Sequence, residues 1–506
     1  MISSQLFIKN GLNPVTNPSQ TDIYISRTRA QYLFRHQKNK FQLQSYFSIC
    51  KNQINFCHLA KMSSGYPGDN QIHVIPNHCD FKCVAKQIAQ VARDDKKIED
   101  SYLIFDLTDI LHKWNLWHKY MPNIEPHYAV KCNDHPFLLR ALAGLGAGFD
   151  CASEMEMKAI LEIIGEEDKD RIIFAQPCKQ NSHLEYAKAH GIEKMTFDCA
   201  YELEKIKKLY PNAKPLIRIK EDDEAASSPL GAKFGACVLT EVKPLLKKAK
   251  ELELDVVGVA FHVGSGAANP RIFEKAIRDS KCVFKWAKEI GLKFHILDIG
   301  GGFPAKANCK ETKLFTQISK VVRCSLNKYF PPEMGVTVFA EPGRYFAGTA
   351  FAACGFIHTL KEKHMKDDHK KYMYYINDGV YGSFNNIMYD HKKPVPELLR
   401  EIKEGEPKFE TAIWGPTCDS LDRIYPAATV CESAANEEDE YAELELCQAG
   451  DWLLYRGMGA YTLVASENFN GFPKPELYNV CSKDAWDTFK EFLGEKTFNT
   501  QNFLRF

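Results

Sequence analysis

The chain lacks any apolar run of about 18 residues, so no membrane-crossing helix is expected. It also lacks net charge. Lys plus Arg and Asp plus Glu number 65 each, which leaves nothing to draw the protein to nucleic acid or to an anionic membrane surface. The 17 cysteines include no CxxC pair and no Cys/His spacing of the zinc type. No metal is therefore expected, and the plain reading is reduced thiols in a protein of the cytoplasm; Cys79 and Cys83, four apart, are a faint metal hint at most. A dinucleotide fingerprint is missing as well. Gly144-Leu145-Gly146-Ala147-Gly148 has GxGxG spacing and precedes a β-rich run instead of following one. Acidic residues are nearly absent from the head: residues 1–61 carry eight Lys/Arg against Asp22 alone, a net +7. That composition suits a mitochondrial transit peptide, a disordered extension, or upstream sequence translated before Met62; the lack of a clean amphipathic face argues against the first.

What is present is a regular alternation. A chain of 506 residues has room for two domains. After a basic extension over 1–69 and a segment at 70–105 expected to pack with the second domain, residues 106–345 alternate apolar, β-rich runs with helical ones. The runs are HYAVKC (127–132), GFDC (148–151), RIIFA (171–175), KMTFD (194–198), KPLIRI (214–219), VVGVAFHV (256–263), FHILDIG (294–300) and VTVFAE (336–341). Between them, Phe273, Ile277, Ser280, Phe284 and Ala287 fall on one stripe of a helix. Eight strands with intervening helices fit an α/β fold of the (β/α)8 TIM-barrel type better than an open sheet. Residues 346–506 change texture. Short aromatic and β-branched runs broken by Gly, Pro and Asp predict an antiparallel β-sandwich or partial barrel. Residues 357–371 and 431–446 read as charged, mobile connections, and a helix at 483–494 is expected to close the domain.

Active sites of such barrels lie at the C-terminal ends of the strands. Seven of the eight runs end in Lys131, Asp150, Asp198, Arg218, His262, Gly300-Gly301-Gly302 and Glu341. Each has a bland reading by itself: a solvated lysine, a tight turn, a core histidine. Together they suit one chemistry. A lysine in a desolvated place has a lowered pKa and an amine free to condense with a carbonyl. Consecutive glycines and the Glu341-Pro342-Gly343-Arg344 turn, after strands seven and eight, suit a phosphate, and Ser265 adds a donor. Glu341 beside a pyridine nitrogen would keep it protonated, and His262 offers a flat ring to stack on.

PHYAVKCN, GFDCASE, PCKQ, FHVGSG, LDIGGGFP, AEPGRY, NDGVYGSFN, WGPTCDSLD and MGAYT together resemble the eukaryotic ornithine decarboxylases, of the alanine-racemase-like pyridoxal-phosphate class. The resemblance covers roughly residues 70–490. It implies pyridoxal 5′-phosphate on Lys131, a head-to-tail homodimer with shared active sites, L-ornithine as substrate and putrescine as product. Antizyme is an implied partner. It also implies a phosphate cradle at Ser265, Gly302, Gly343, Arg344 and Tyr461, a pyridinium partner at Glu341, ring stacking by His262, and cofactor-side polar groups at Asp150 and Arg218. Glu156 matches an acid behind them. Cys418 and Asp419 match the pair that enters from the neighbouring subunit, with Cys418 as the acid that reprotonates the α-carbon. Asp390 matches the second carboxylate for the distal amine, and Tyr381 and Phe469 match pocket aromatics. Two carboxylates would repel a second carboxylate on the substrate, which disfavours diaminopimelate. Two rivals stand beside this expectation. One is an inactive, antizyme-inhibitor-like regulator; the other is a lysine or arginine decarboxylase. The long head has no family counterpart, and because the sequence stops at Phe506, shortly after the last expected helix, the tail-driven degradation of the vertebrate enzyme is not expected.

Overall fold

The computed structural model describes residues 68–493, apart from 96–98, 223–225, 227–229, 306–308, 366–368 and 428–440. The basic head and most of the 431–446 connection lie outside the described residues. Two strands come first, β1 (Gly68–Ile75) and β2 (Tyr102–Asp106). Eight short strands follow: β3 (Glu125–Ala129), β4 (Gly148–Cys151), β5 (Ile172–Phe174), β6 (Lys194–Phe197), β7 (Lys214–Lys220), β8 (Gly258–His262), β9 (Ile296–Asp298) and β10 (Thr337–Ala340). They close on themselves in the order β10-β3-β4-β5-β6-β7-β8-β9, every pairing parallel. The strands read as near-continuous apolar runs because each is buried on both faces, by helices outside and side chains within. Ile173, Leu216, Ala260, Ile296 and Phe339, one each from five strands, form a separate core cluster together with Ala175 and Val257, which fills the barrel interior.

The surrounding helices obey the 3.6-residue period. In the helix Arg271–Glu289, the buried residues are Phe273, Ala276, Ile277, Ser280, Val283, Phe284 and Ala287. Ser280 is tolerated in this apolar stripe because its hydroxyl donates to Ala276 O at 2.8 Å. The helix Glu154–Ile164 starts on Ser153, whose hydroxyl accepts from Glu156 N at 3.3 Å, while Glu156 Oε2 accepts from Ala152 N. That reciprocal arrangement is a close variant of the capping box.

The second domain is a 10-stranded sheet. It includes β11 (Phe351–His364), β12 (Lys370–Ile376), β13 (Pro396–Leu398), β14 (Lys408–Trp414), β15 (Arg423–Tyr425), β16 (Ala442–Glu445), β17 (Trp452–Arg456) and β18 (Glu476–Ser482). β1 and β2 join it from the other side of the barrel in sequence, pairing with β18, and β2 also pairs with β11. The sheet is mixed, not antiparallel throughout: β18 runs parallel to β1 and β2, and β14 parallel to β12. Strands brought together from distant parts of the chain are not joined by hairpins, so nothing obliges them to run antiparallel. Residues 357–364, expected as a loose connection, continue β11 and pair with β12 out to His364↔Lys370. Their charges mark an exposed strand tail, of the kind that blunts a sheet edge. The last helix, Lys483–Leu493, follows β18 directly. No helix among the described residues is long and apolar enough to cross a membrane.

Candidate active site

Lys131 sits two residues beyond the end of β3, in the 3-10 turn Val130–Cys132. Its Nζ pairs with Asp150 Oδ2, presented from the adjacent strand β4. Burial by itself would lower the amine, but the carboxylates of Asp150 and Glu341 outweigh it and hold Lys131 above the usual lysine range. The expectation of a lowered pKa thus fails, for a plain Coulombic reason. Asp150 is fully buried, and its second oxygen, Oδ1, has no hydrogen-bond partner among the described residues.

Glu341 follows β10 immediately, and its N–H donates to Gly300 O at 2.7 Å. Burial pushes its carboxyl well above the ordinary range, and Asp298 and Asp150 push it further; Lys131 and Arg218 oppose this. His262 ends β8. Its Nδ1 accepts from Gly264 N at 3.0 Å, so the ring is held with that nitrogen unprotonated. Burial, Arg218 and Lys131 keep it well below the usual histidine range, hence neutral. Arg218, on β7, lies over the Phe234 ring at 5.1 Å. Asp198, at the end of β6, instead braces a loop by accepting from Gly235 N at 2.8 Å.

The side expected to hold a phosphate is equally built. Arg344 opens the short helix Arg344–Ala347 and donates to Ser265 Oγ at 2.9 Å. That helix is anchored from beneath: buried Lys113 donates to Phe346 O at 3.0 Å, and Tyr345 OH donates to Lys113 O at 2.9 Å. A Cβ on Gly343 would come within 2.8 Å of Cys132 Cβ, and one on Gly302, at φ +97°, within 2.8 Å of Gly264 O. Only glycine leaves the backbone N–H groups that open. Tyr461 enters from the sheet domain, its N–H on Cys132 O at 3.0 Å and its ring 5.3 Å from the Arg344 guanidinium. Lys131, Glu156, Tyr389 and Tyr461 share the wall of one cavity of about 390 Å³, within the size range of cofactor sites.

Asp390 is brought to this side too. Its carboxylate takes two hydrogen bonds from Arg344, one of them at 2.6 Å. The residue expected to grip substrate is therefore engaged by the residue expected to grip phosphate. A phosphate monoester carries about −2 against −1 for a carboxylate, so it competes well for the guanidinium.

Four expected residues form a second group. Tyr381 stacks on Phe469 with centroids 4.3 Å apart, and its hydroxyl donates to Asp419 Oδ2. That hydrogen bond, with another from Leu421 N, holds Asp419 below the usual carboxylate range. Cys418 is exposed, with its N–H on Asn470 Oδ1 at 3.0 Å. None of the four lines the cavity beside Lys131.

Some residues escaped the sequence reading. Asp422 organises the Cys418 loop, accepting from Val380 N at 2.8 Å and Thr417 N at 2.9 Å; the second Asp of DSLD was the available signal. Asn470, at φ +55°, had no signal beyond being an Asn beside Gly471. Asp298 stands two residues before the glycine run, where it reads as part of the strand.

The donor set fits pyridoxal 5′-phosphate: an amine, a carboxylate for a ring nitrogen, a flat neutral ring, a guanidinium and a glycine cradle. Comparison with known proteins agrees. The pyridoxal-binding domain of the pyridoxal-dependent decarboxylases matches residues 107–348, and their C-terminal sheet domain matches residues 350–459. Ornithine decarboxylase of Mus musculus is 42% identical over 441 residues, 85% of this chain and 91% of that protein. Antizyme inhibitor 2 of Xenopus laevis is 40% identical over 394 residues, 76% of this chain and 82% of that protein. Among solved structures, the Paramecium bursaria Chlorella virus arginine decarboxylase bound to agmatine superposes with a TM-score of 0.71 at 33% identity, covering 79% of this chain and all of that one. With its barrel, its sheet domain and the lysine-centred site between them, the chain belongs to the pyridoxal-dependent decarboxylases, lyases that use pyridoxal phosphate to release CO2 from amino acids.

Proposed function

We propose that this enzyme decarboxylates L-ornithine to putrescine, as a cytoplasmic homodimer whose active sites draw on both chains. The observation that carries the substrate is the Asp419 carboxylate, kept ionised beside the stacked rings of Tyr381 and Phe469. An anion against aromatic faces suits a terminal ammonium and repels a second carboxylate. When bound, pyridoxal 5′-phosphate supplies a ring that accepts the electron pair left as CO2 departs. Lys131 provides the amine that attaches it. Glu341 holds a proton at the ring nitrogen, and His262 packs against the ring face. Ser265, Gly302, Gly343, Arg344 and Tyr461 hold the phosphate, with Asp150 and Arg218 setting the charge around them. Cys418 returns a proton to the α-carbon, and Asp390 with Asp419 receives the distal ammonium.

The test of the substrate is kcat/KM for ornithine, lysine and arginine. Ornithine should lead, and lysine, one methylene longer, should trail by about 10–200-fold. Asp390→Ala and Asp419→Ala should each raise KM for ornithine far more than they weaken cofactor binding. A preference for lysine or arginine would overturn the substrate while leaving the enzyme class intact. The likeness to antizyme inhibitor 2 supports a second reading, a non-catalytic regulator with antizyme as partner; CO2 release from ornithine excludes it.

The exposure of Cys418 supports the shared-site reading, since an exposed thiol can serve a neighbouring chain. Lys131→Ala and Cys418→Ala should each be inactive alone. Mixed and allowed to exchange subunits, they should regain about a quarter of wild-type activity, since half the dimers are hybrids with one intact site. Exchange shown by tagged subunits, with no recovery, would exclude shared sites.

A further inference from the structure

We propose that Asn133 is a positioning residue: its side chain clamps the turn that carries Lys131 to the turn that carries Tyr461, and so fixes the Tyr461 ring beside the Arg344 guanidinium. The inference rests on the reading of Tyr461 as part of the phosphate cradle. Tyr461 is the point of strain. Its φ is +56°, in the left-handed region that residues with a Cβ rarely adopt. Such a conformation persists only where the surroundings over-determine it. Here they act from two sides. On one, the turn lies flat on the end of the Arg344–Ala347 helix: Gly459 N donates to Gly348 O at 3.2 Å, and a Cβ on Gly459 would come within 1.9 Å of Ala347 O. On the other, the Lys131 turn reaches across. Tyr461 N donates to Cys132 O at 3.0 Å, and Asn133 Nδ2 donates to Gly459 O at 2.8 Å.

The last of these bonds is made by a side chain, across 326 positions of sequence. Asn133 is buried, and both ends of its amide are used. Oδ1 accepts from His135 N at 3.0 Å, which closes an Asx turn ahead of the helix Pro136–Leu145. The Asn133 backbone is pinned to the barrel, where Tyr128 OH, from β3, donates to Asn133 O at 2.8 Å. The turn by itself does not call for asparagine, because a serine hydroxyl closes the same kind of turn. What calls for the amide is Gly459 O, a buried carbonyl that needs a donor while the acceptor for His135 N stays in place. Lys131 and Tyr461 line one cavity. A ligand held by an amine at one end and by its phosphate at the other binds tightly only if the spacing of the two is set in advance. Asn133 sets that spacing, since it adjoins the Lys131 turn and holds the Tyr461 turn.

The experiment compares two ligands on cofactor-free protein: pyridoxal 5′-phosphate, and pyridoxal, which lacks the phosphate. Absorbance and fluorescence titrations give the ratio of the two affinities. Asn133→Ser keeps an acceptor for His135 N, and its hydroxyl is too short to reach Gly459. It should weaken pyridoxal 5′-phosphate about tenfold and leave pyridoxal close to wild type, so the ratio falls about tenfold. A residue that merely supports the fold would weaken both ligands alike and leave the ratio unmoved. In a Tyr461→Phe background, Asn133→Ser should lower the ratio little further, because the group it positions is already gone. The proposal is overturned if Asn133→Ser keeps the wild-type ratio, or if it lowers the ratio as much in the Tyr461→Phe background as in the wild type. Should Asn133→Ser fail to fold, Asn133→Thr, which keeps the hydroxyl acceptor and fills more of the buried space, is read in the same way. Tyr461→Phe alone separates the two levels: a wild-type ratio there would remove the Tyr461 reading itself, and the role of Asn133 with it. A lowered ratio there, with a wild-type ratio in Asn133→Ser, would remove only the role of Asn133.

Discussion

Lys131→Ala protein should fold, bind pyridoxal 5′-phosphate without a covalent link, and release no CO2 from ornithine above background. Borohydride reduction of the wild type, followed by peptide mapping, should leave the pyridoxyl group on Lys131. The geometry behind this is specific. The 3-10 turn after β3 lifts Lys131 onto the rim of the barrel, within the ring of carboxylates from β4 and β10. Asp150 and Glu341 hold the amine in its charged form, above the usual lysine range. A charged amine is no nucleophile, so attachment to cofactor-free protein requires loss of that proton. The rate of attachment should therefore climb with pH, and Asp150→Asn, which removes the nearest counter-charge, should shift that climb to lower pH. A pyridoxyl label on any other lysine would end the assignment. A rate of attachment that is flat with pH would show that the amine is already free.

The barrel was open to reading because its strands are buried on both faces and so stand out as apolar runs with chemistry at their ends. GFDC at 148–151 coincides with β4 to the residue. Pairing direction in the sheet domain was not open to reading. Neither β18 nor β14 is joined by a tight turn to the strand it parallels, and strand composition carries no sign of partner direction. The 357–364 segment misled because an exposed strand tail and a charged loop have the same composition. In the site, residue types were legible where backbone demands were strict, as at Gly302 and Gly343. Which charges meet was not: Arg344 and Asp390 are 46 residues apart, and only the folded chain makes them partners. Asp298 was hidden for a different reason. A carboxyl at the end of an apolar strand looks like a cap, and only the folded chain sets it among Asp150, Arg218 and Glu341, which lie on or beside three other barrel strands.

Glu341→Ala should slow decarboxylation by about two to three powers of ten, the usual cost of removing a preorganised charge at a reacting centre. It should also weaken cofactor retention. The same substitution makes an opposite prediction for the cofactor-free protein. Glu341 is buried with Asp298 and Asp150 pushing its carboxyl well above the ordinary range. A group whose folded value is raised contributes stability that is full below its ordinary carboxylate range and is lost as pH rises through the raised value. Cofactor-free wild type should thus lose stability from acid toward neutral pH, and Glu341→Ala should lose less over the same interval. On the proposed role of Glu341, pyridoxal 5′-phosphate would set a cationic ring nitrogen beside the carboxylate, so adding it should recover neutral-pH stability in the wild type more than in the variant. Melting temperatures against pH, with and without cofactor, read all four states. Wild-type turnover in Glu341→Ala would remove the electron-sink partner from the mechanism. Melting curves that run parallel in wild type and variant at every pH would show that Glu341 does not bear the buried charge assigned to it.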